Sequence, residues 1–124
     1  MPAEVRNPIN SSFVDRGTRT VVDYDIPVLV VDDNFHSVDM SAKVPLAAKA
    51  VLFTVLARAT GAGNYCQIRK VGNGFNFSEV RSQVANVFIR QEMIIGVENA
   101  TMEVRIQAGG VWNVLNFYIK GWFL

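Results

Sequence analysis

Val111-Trp112-Asn113-Val114-Leu115-Asn116-Phe117-Tyr118-Ile119-Lys120-Gly121-Trp122-Phe123-Leu124 alternates like an extended strand. Val111, Leu115, Phe117 and Ile119 fall on one side, while Trp112, Asn116, Tyr118 and Lys120 lean to the other. A period of two is the geometry of a half-buried strand. The stretch closes on three bulky apolar groups, Trp122, Phe123 and Leu124. Each such side chain is worth roughly 1.5–3 kcal/mol once buried, so the chain needs a dry place for them.

Upstream, residues 101–107 alternate cleanly, with Met102, Val104 and Ile106 facing in and Thr101, Glu103, Arg105 and Gln107 facing out. Gly109-Gly110 turns this run into the final one. Residues 84–97 carry apolar groups at Val84, Val87, Ile89, Met93 and Ile95, with a change of phase near Gln91 that predicts a bulge or two joined strands. Residues 65–71 alternate between two glycine turns, Gly61-Ala62-Gly63 and Gly72-Asn73-Gly74. Residues 47–59 suit a helix by their alanines and leucines. Val51, Phe53, Val55 and Ala57 suit one face of a strand, and the strand-like neighbours on both sides favour a buried strand.

Residues 35–40 make a short strand after the Asp32-Asp33-Asn34 turn. Residues 21–31 are β-branched, but Pro27 cannot donate to a ladder, so that segment is an edge strand or is broken there. Residues 1–20 are polar, without a period, and hold Pro2, Pro8 and Gly17. The expected division is therefore an extended N-terminal arm over 1–20 and a β-sandwich domain over 21–124. About seven or eight strands with turns at short intervals predict an all-β chain, a single antiparallel sandwich or jelly roll.

The chain has 124 residues, enough for one domain with a core of its own. Lys plus Arg total 12 and Asp plus Glu total 11, so there is no basic excess of the kind nucleic acid requires. Charged residues make up 19%, below the usual ~25%, which suggests surface covered by partners. Cys66 is the single cysteine, so an internal disulfide cannot form. The N-terminus lacks the apolar core of a secretory signal, and no apolar run reaches the ~20 residues of a bilayer span. Synthesis in a cytoplasm, without a membrane partner, is the expectation.

Chemistry-bearing residues are sparse. His36 is the only histidine, and no partner for a metal or nucleophile pair can be placed beside it. Cys66, between apolar neighbours, suits a buried small side chain better than a nucleophile. Asp23, Asp25, Asp32, Asp33 and Asp39 are dense enough to raise calcium, but lack the spacing of a known ligand loop. Arg69, Lys70, Arg81 and Arg90 could meet carboxylates on a partner. Trp112 and Tyr118 form the one pair that could stack on a sugar ring. No catalytic residue, metal or cofactor is expected.

Four segments in order resemble a β-sandwich domain of tailed-bacteriophage virion proteins. They are Val44-Pro45-Leu46-Ala47-Ala48-Lys49-Ala50-Val51-Leu52, Tyr65-Cys66-Gln67-Ile68-Arg69-Lys70, Arg81-Ser82-Gln83-Val84-Ala85-Asn86 and Lys120-Gly121-Trp122. The resemblance covers about two-thirds of the chain and rests on the order of segments, since no single motif is distinctive. It implies a structural or binding role in a virion without fixing the location. The expected function is a non-enzymatic capsid decoration or cement subunit, working through buried area against its own copies, as a trimer, and against a major capsid or other virion protein. The alternative is a tail-tip, fibre or tail-associated module that binds host-surface glycans or joins subunits. Expected contact residues are Arg6, Pro8, Ile9, Phe13 and Val14 in the arm, with Trp122, Phe123 and Leu124 at the other end.

Overall fold

A computed structural model describes residues 12–17, 21–75 and 77–124. Among them are eight strands and no helix. They are β1 (Phe13–Asp15), β2 (Phe35–Asp39), β3 (Ala50–Ala59), β4 (Tyr65–Lys70), β5 (Ser78–Arg81), β6 (Ile89–Gly96), β7 (Thr101–Ile106) and β8 (Trp112–Phe123). Two antiparallel sheets of four strands carry the orders β1-β8-β3-β6 and β2-β7-β4-β5. First strand pairs with last, second with seventh, third with sixth and fourth with fifth, the nested order of a jelly roll. The sandwich expected from the alternating runs is the fold observed.

The ambiguous run at 47–59 is strand β3. Its valines and Phe53 pair with β6 on one side and β8 on the other, and that burial overrides the helix propensity of its alanines. Between the sheets, Phe53, Val55 and Ala57 meet Leu115, Phe117 and Ile119 of β8 with Ile68, Met102, Val104 and Ile106 from the second sheet. The Phe53 and Phe117 rings stand edge to face, 6.0 Å between centroids.

Three expectations shift. The predicted arm, 1–20, contains β1, so the first strand of the sandwich lies before the expected boundary at residue 21; three residues are too few to show a period. Residues 21–31 form no strand. Tyr24 makes a single bridge to Phe117, then Val28 and Leu29 both donate backbone N–H to the Asp25 carbonyl in a turn around Pro27. The phase change near Gln91 reflects the start of β6 at Ile89, not a bulge. Val84 and Val87 sit in an exposed loop that turns at Asn86, φ +58°.

One buried ion pair ties the first residues to the last strand. Asp23 is buried, and its Oδ2 accepts from the Ile119 amide (2.8 Å) and from Arg16 Nη1 (2.9 Å). Lys43 Nζ stands 3.4 Å from the other oxygen and 4.4 Å from the centre of the Tyr24 ring. Burial alone would raise the Asp23 carboxyl. The Ile119 N–H, Arg16 and Lys43 outweigh it and hold the group below its ordinary value of 3.8. Its contribution to stability is therefore present above about pH 4 and is lost as the pH falls through the lowered folded value. In urea unfolding, Asp23→Ala should lose about 3–5 kcal/mol, because the nearly buried Arg16 and the partly buried Lys43 lose their counterion and the Ile119 N–H its acceptor. The variant should also lose stability less steeply than the parent on acidification below about pH 4.

Candidate functional site

The terminal strands close on one another at one margin of the first sheet. Phe13 pairs with Phe123, Val14 with Trp122 and Asp15 with Gly121. The pairing is extended at both ends, where Arg16 N–H donates to the Lys120 carbonyl (2.9 Å) and Leu124 N–H to the Ser12 carbonyl (2.7 Å). The Phe13 and Phe123 rings lie 5.0 Å apart and tilted. Phe13 remains 38% exposed and Leu124 47%, so the margin is only half dry in the single chain.

Two irregularities in β8 redirect its side chains, and the one nearer the C-terminal end decides which of them reach that margin. Leu52 pairs with Gly121 and Phe53 with Ile119, so Lys120 is an extra residue. Beyond it the phase flips: Trp122 turns in against Val51 and the core, and Gly121 turns out. A Cβ on Gly121 would come within 2.6 Å of the Phe13 ring and 2.4 Å of the Val14 carbonyl oxygen. Glycine is thus what lets β1 lie down here. The second irregularity leaves Asn113 unpaired between Val114, opposite Arg58, and Trp112, opposite Ala59. It turns Trp112 inward.

That second bulge separates the pair expected to stack on a sugar. Trp112 is buried at 6% exposure and donates its indole N–H to the Tyr65 carbonyl at 3.1 Å. Tyr118 lies half-buried on the outer face, beside Thr54. The two rings share no face. Of the expected contact residues, Phe13, Val14, Trp122, Phe123 and Leu124 are brought together, whereas Arg6, Pro8 and Ile9 lie outside the described residues.

The acidic run is dispersed. Asp23 serves the buried ion pair; Asp32 accepts the Asn34 amide and pairs with His36 Nε2 at 2.8 Å; Asp39 accepts the Ser41 amide. The His36 ring, then the Asn34 amide, hold the Asp32 carboxyl below its usual range. Asp33, at φ +68°, accepts the Tyr65 hydroxyl at 2.5 Å. Among the described residues no three His, Cys, Asp or Glu gather closely enough for a metal ion. His36 lines a cavity of about 210 Å³ with Tyr24, Leu29, Val38 and Val104. Cys66 is fully buried, and burial pushes its thiol well up.

The outer faces of the two sheets differ. On the second, Arg69 stacks 3.6 Å from the Phe35 ring centre and bonds Glu103 at 2.8 Å. Beside it Arg105 bonds the Asp33 carbonyl, and Glu79 joins Gln67 and Arg81. Those cations are already matched from within. On the first sheet, Leu52, Ile94, Phe13 and Phe123 share an outer face with Tyr118 and Leu56. Compared with known protein families and with curated proteins, the chain matches none.

The Gly121 contact is directly testable. Gly121→Ala should push β1 off β8, cost about 1–3 kcal/mol by overpacking, and speed amide exchange at Arg16 and Leu124 well above that of the β3 amides. Hydrogen-exchange NMR checks it.

Proposed function

We propose that this chain is a non-enzymatic structural subunit of a virion, most naturally a capsid decoration or cement protein, that works by burying its apolar margins against its own copies and a shell protein. The observation that carries the reading is the half-dry margin where the termini meet. The Phe13 and Phe123 rings pack together at a sheet edge, with Leu124 held next to them through its amide on Ser12 and left nearly half exposed, on strands tied down by the bulge at Lys120. Clustered apolar groups left half exposed at an edge favour association over solvation. The resemblance to virion sandwich domains supplies the setting. The matched charges on the second sheet's outer face support orientation, with that face toward solvent and the first sheet toward neighbours.

The mechanism is additive area. Drying a Phe or Leu contributes roughly 1.5–3 kcal/mol, which corresponds to about tenfold to a hundredfold in affinity. A few such groups per copy, repeated over many copies, hold a shell without any chemical step.

Co-sedimentation with particles stripped of the chain tests this. Leu124→Glu and Phe13→Ser should each weaken attachment by about tenfold or more. Leu124→Glu should do so with little change in melting temperature, since that side chain is nearly half exposed and is not one of the buried core residues. Unaltered attachment of both variants would overturn the proposal.

A further inference from the structure

The other margin of the first sheet ends on β6, an eight-residue strand with no neighbour beyond it among the described residues. Among the described residues, the backbone of Ile89–Gly96 makes no hydrogen bond other than its ladder to β3. An edge of that length is a template for another strand unless something guards it. Of the common guards, lysine, proline and inward-pointing charge do not occur in this strand; its two charges, Arg90 and Glu92, are opposite in sign and point outward.

We propose that β6 pairs antiparallel with β6 of a second copy about a two-fold axis at Gln91, joining two four-stranded sheets into one of eight. The outer-face sequence selects both partner and register. From Phe88 on, outward side chains read Phe88, Arg90, Glu92 and Ile94, because Leu52 and Thr54 on the outer face of β3 stand opposite Ile94 and Glu92. Centred on Gln91, Arg90 of each copy faces Glu92 of the other, and Phe88 faces Ile94. Four outward pairs form, two of opposite charge and two apolar. Centring on Arg90 or Glu92 instead sets like charges face to face. A slip of one residue would place outward side chains opposite inward ones, which the pleat forbids. Centring on Ile89 or Met93 sets Arg90 opposite Phe88 or Glu92 opposite Ile94, a charge against an apolar group, so the Gln91 register alone matches charge with charge and apolar with apolar.

The monomer holds these groups ready. Arg90 makes no ion pair among the described residues. Glu92 uses only Oε2, toward Lys120 and Thr54, leaving Oε1 open to an incoming guanidinium. Phe88, just before the strand, is 54% exposed and Ile94, within it, 58%. Phe88 is steadied by Arg58, whose guanidinium carbon lies 4.9 Å from the ring centre. On the inner side the same register sets Ile89 opposite Met93 and Gln91 opposite itself. Each Gln91 amide already bonds the Glu79 carbonyl at 3.2 Å and so stays clear of the axis. The pairing is self-complementary and closes after two copies, so this edge builds a dimer and not the three-copy ring expected from the sequence. It deepens the assembly reading by naming the surface that copies share, and it needs no particle to form.

Sedimentation equilibrium of the full chain, read with a charge-exchange pair, tests it. The parent should be a dimer. Arg90→Glu and Glu92→Arg each set like charges across the axis and should weaken self-association by roughly tenfold or more. Mixed in equal amounts, the two variants regain opposite-sign pairs at both positions and should form a heterodimer. Among the described residues Arg90 has no ion pair or side-chain hydrogen bond to lose, so Arg90→Glu should keep the parent's melting profile at low concentration. A parent that stays monomeric, an Arg90→Glu chain that dimerises as well as the parent, or a mixture that does not associate would each overturn the pairing. Particle attachment is scored separately: a chain that dimerises through β6 yet never attaches contradicts the proposed function and leaves the dimer standing.

Discussion

The ladder between β3 and β8 is the constraint on which the remaining structure depends. These are the two longest strands and the two central ones of their sheet, and each phase break between them redirects side chains further along. The extra residue at Asn113 turns Trp112 into the core. The extra residue at Lys120 turns Trp122 in and Gly121 out, and the bare face of Gly121 is where Phe13 rests. Without that second break, Gly121 would point into the core and Trp122 would stand where β1 lies. Pairing of the termini and the apolar margin both follow from the one extra residue at Lys120.

With the centre closed in this way, capacity for partners is left at the margins. A jelly roll of two four-stranded sheets has four edges. β1 is short, and its margin ends in a half-dry cluster. β6 is longer and bears alternating apolar and charged side chains. The outer face of the second sheet is knit by its own ion pairs and by the Arg69–Phe35 stack, so little there calls for an outside group. The asymmetry between the faces is the physical basis for orienting the molecule in an assembly.

Much of this was legible in the sequence because burial writes itself with a period of two. Leu115, Phe117 and Ile119, and Met102, Val104 and Ile106, face inward as their spacing says. What escaped is what breaks that period. A strand of three residues carries no readable period, and β1 lies within the polar stretch 1–20 that reads as an arm. A bulge adds one residue and inverts everything past it, so an unbroken period of two puts Trp112 and Tyr118 on one side where the structure does not. Gly121 within an apolar strand was the available sign of close backbone approach. Asp23 was hidden for another reason: among neighbouring aspartates it looks like part of a solvated turn, and only long-range contact with Ile119, Arg16 and Lys43 gives it a buried role.

Hydrogen–deuterium exchange on the chain, free at low concentration and then assembled on particles, tests most directly whether the margins carry the function. The account predicts slowed exchange at residues 12–15 and 121–124 and along 89–96, with the amides of β2, β7, β4 and β5 unchanged. Protection confined to that second sheet, with the terminal and β6 margins exchanging as in the free chain, would contradict it.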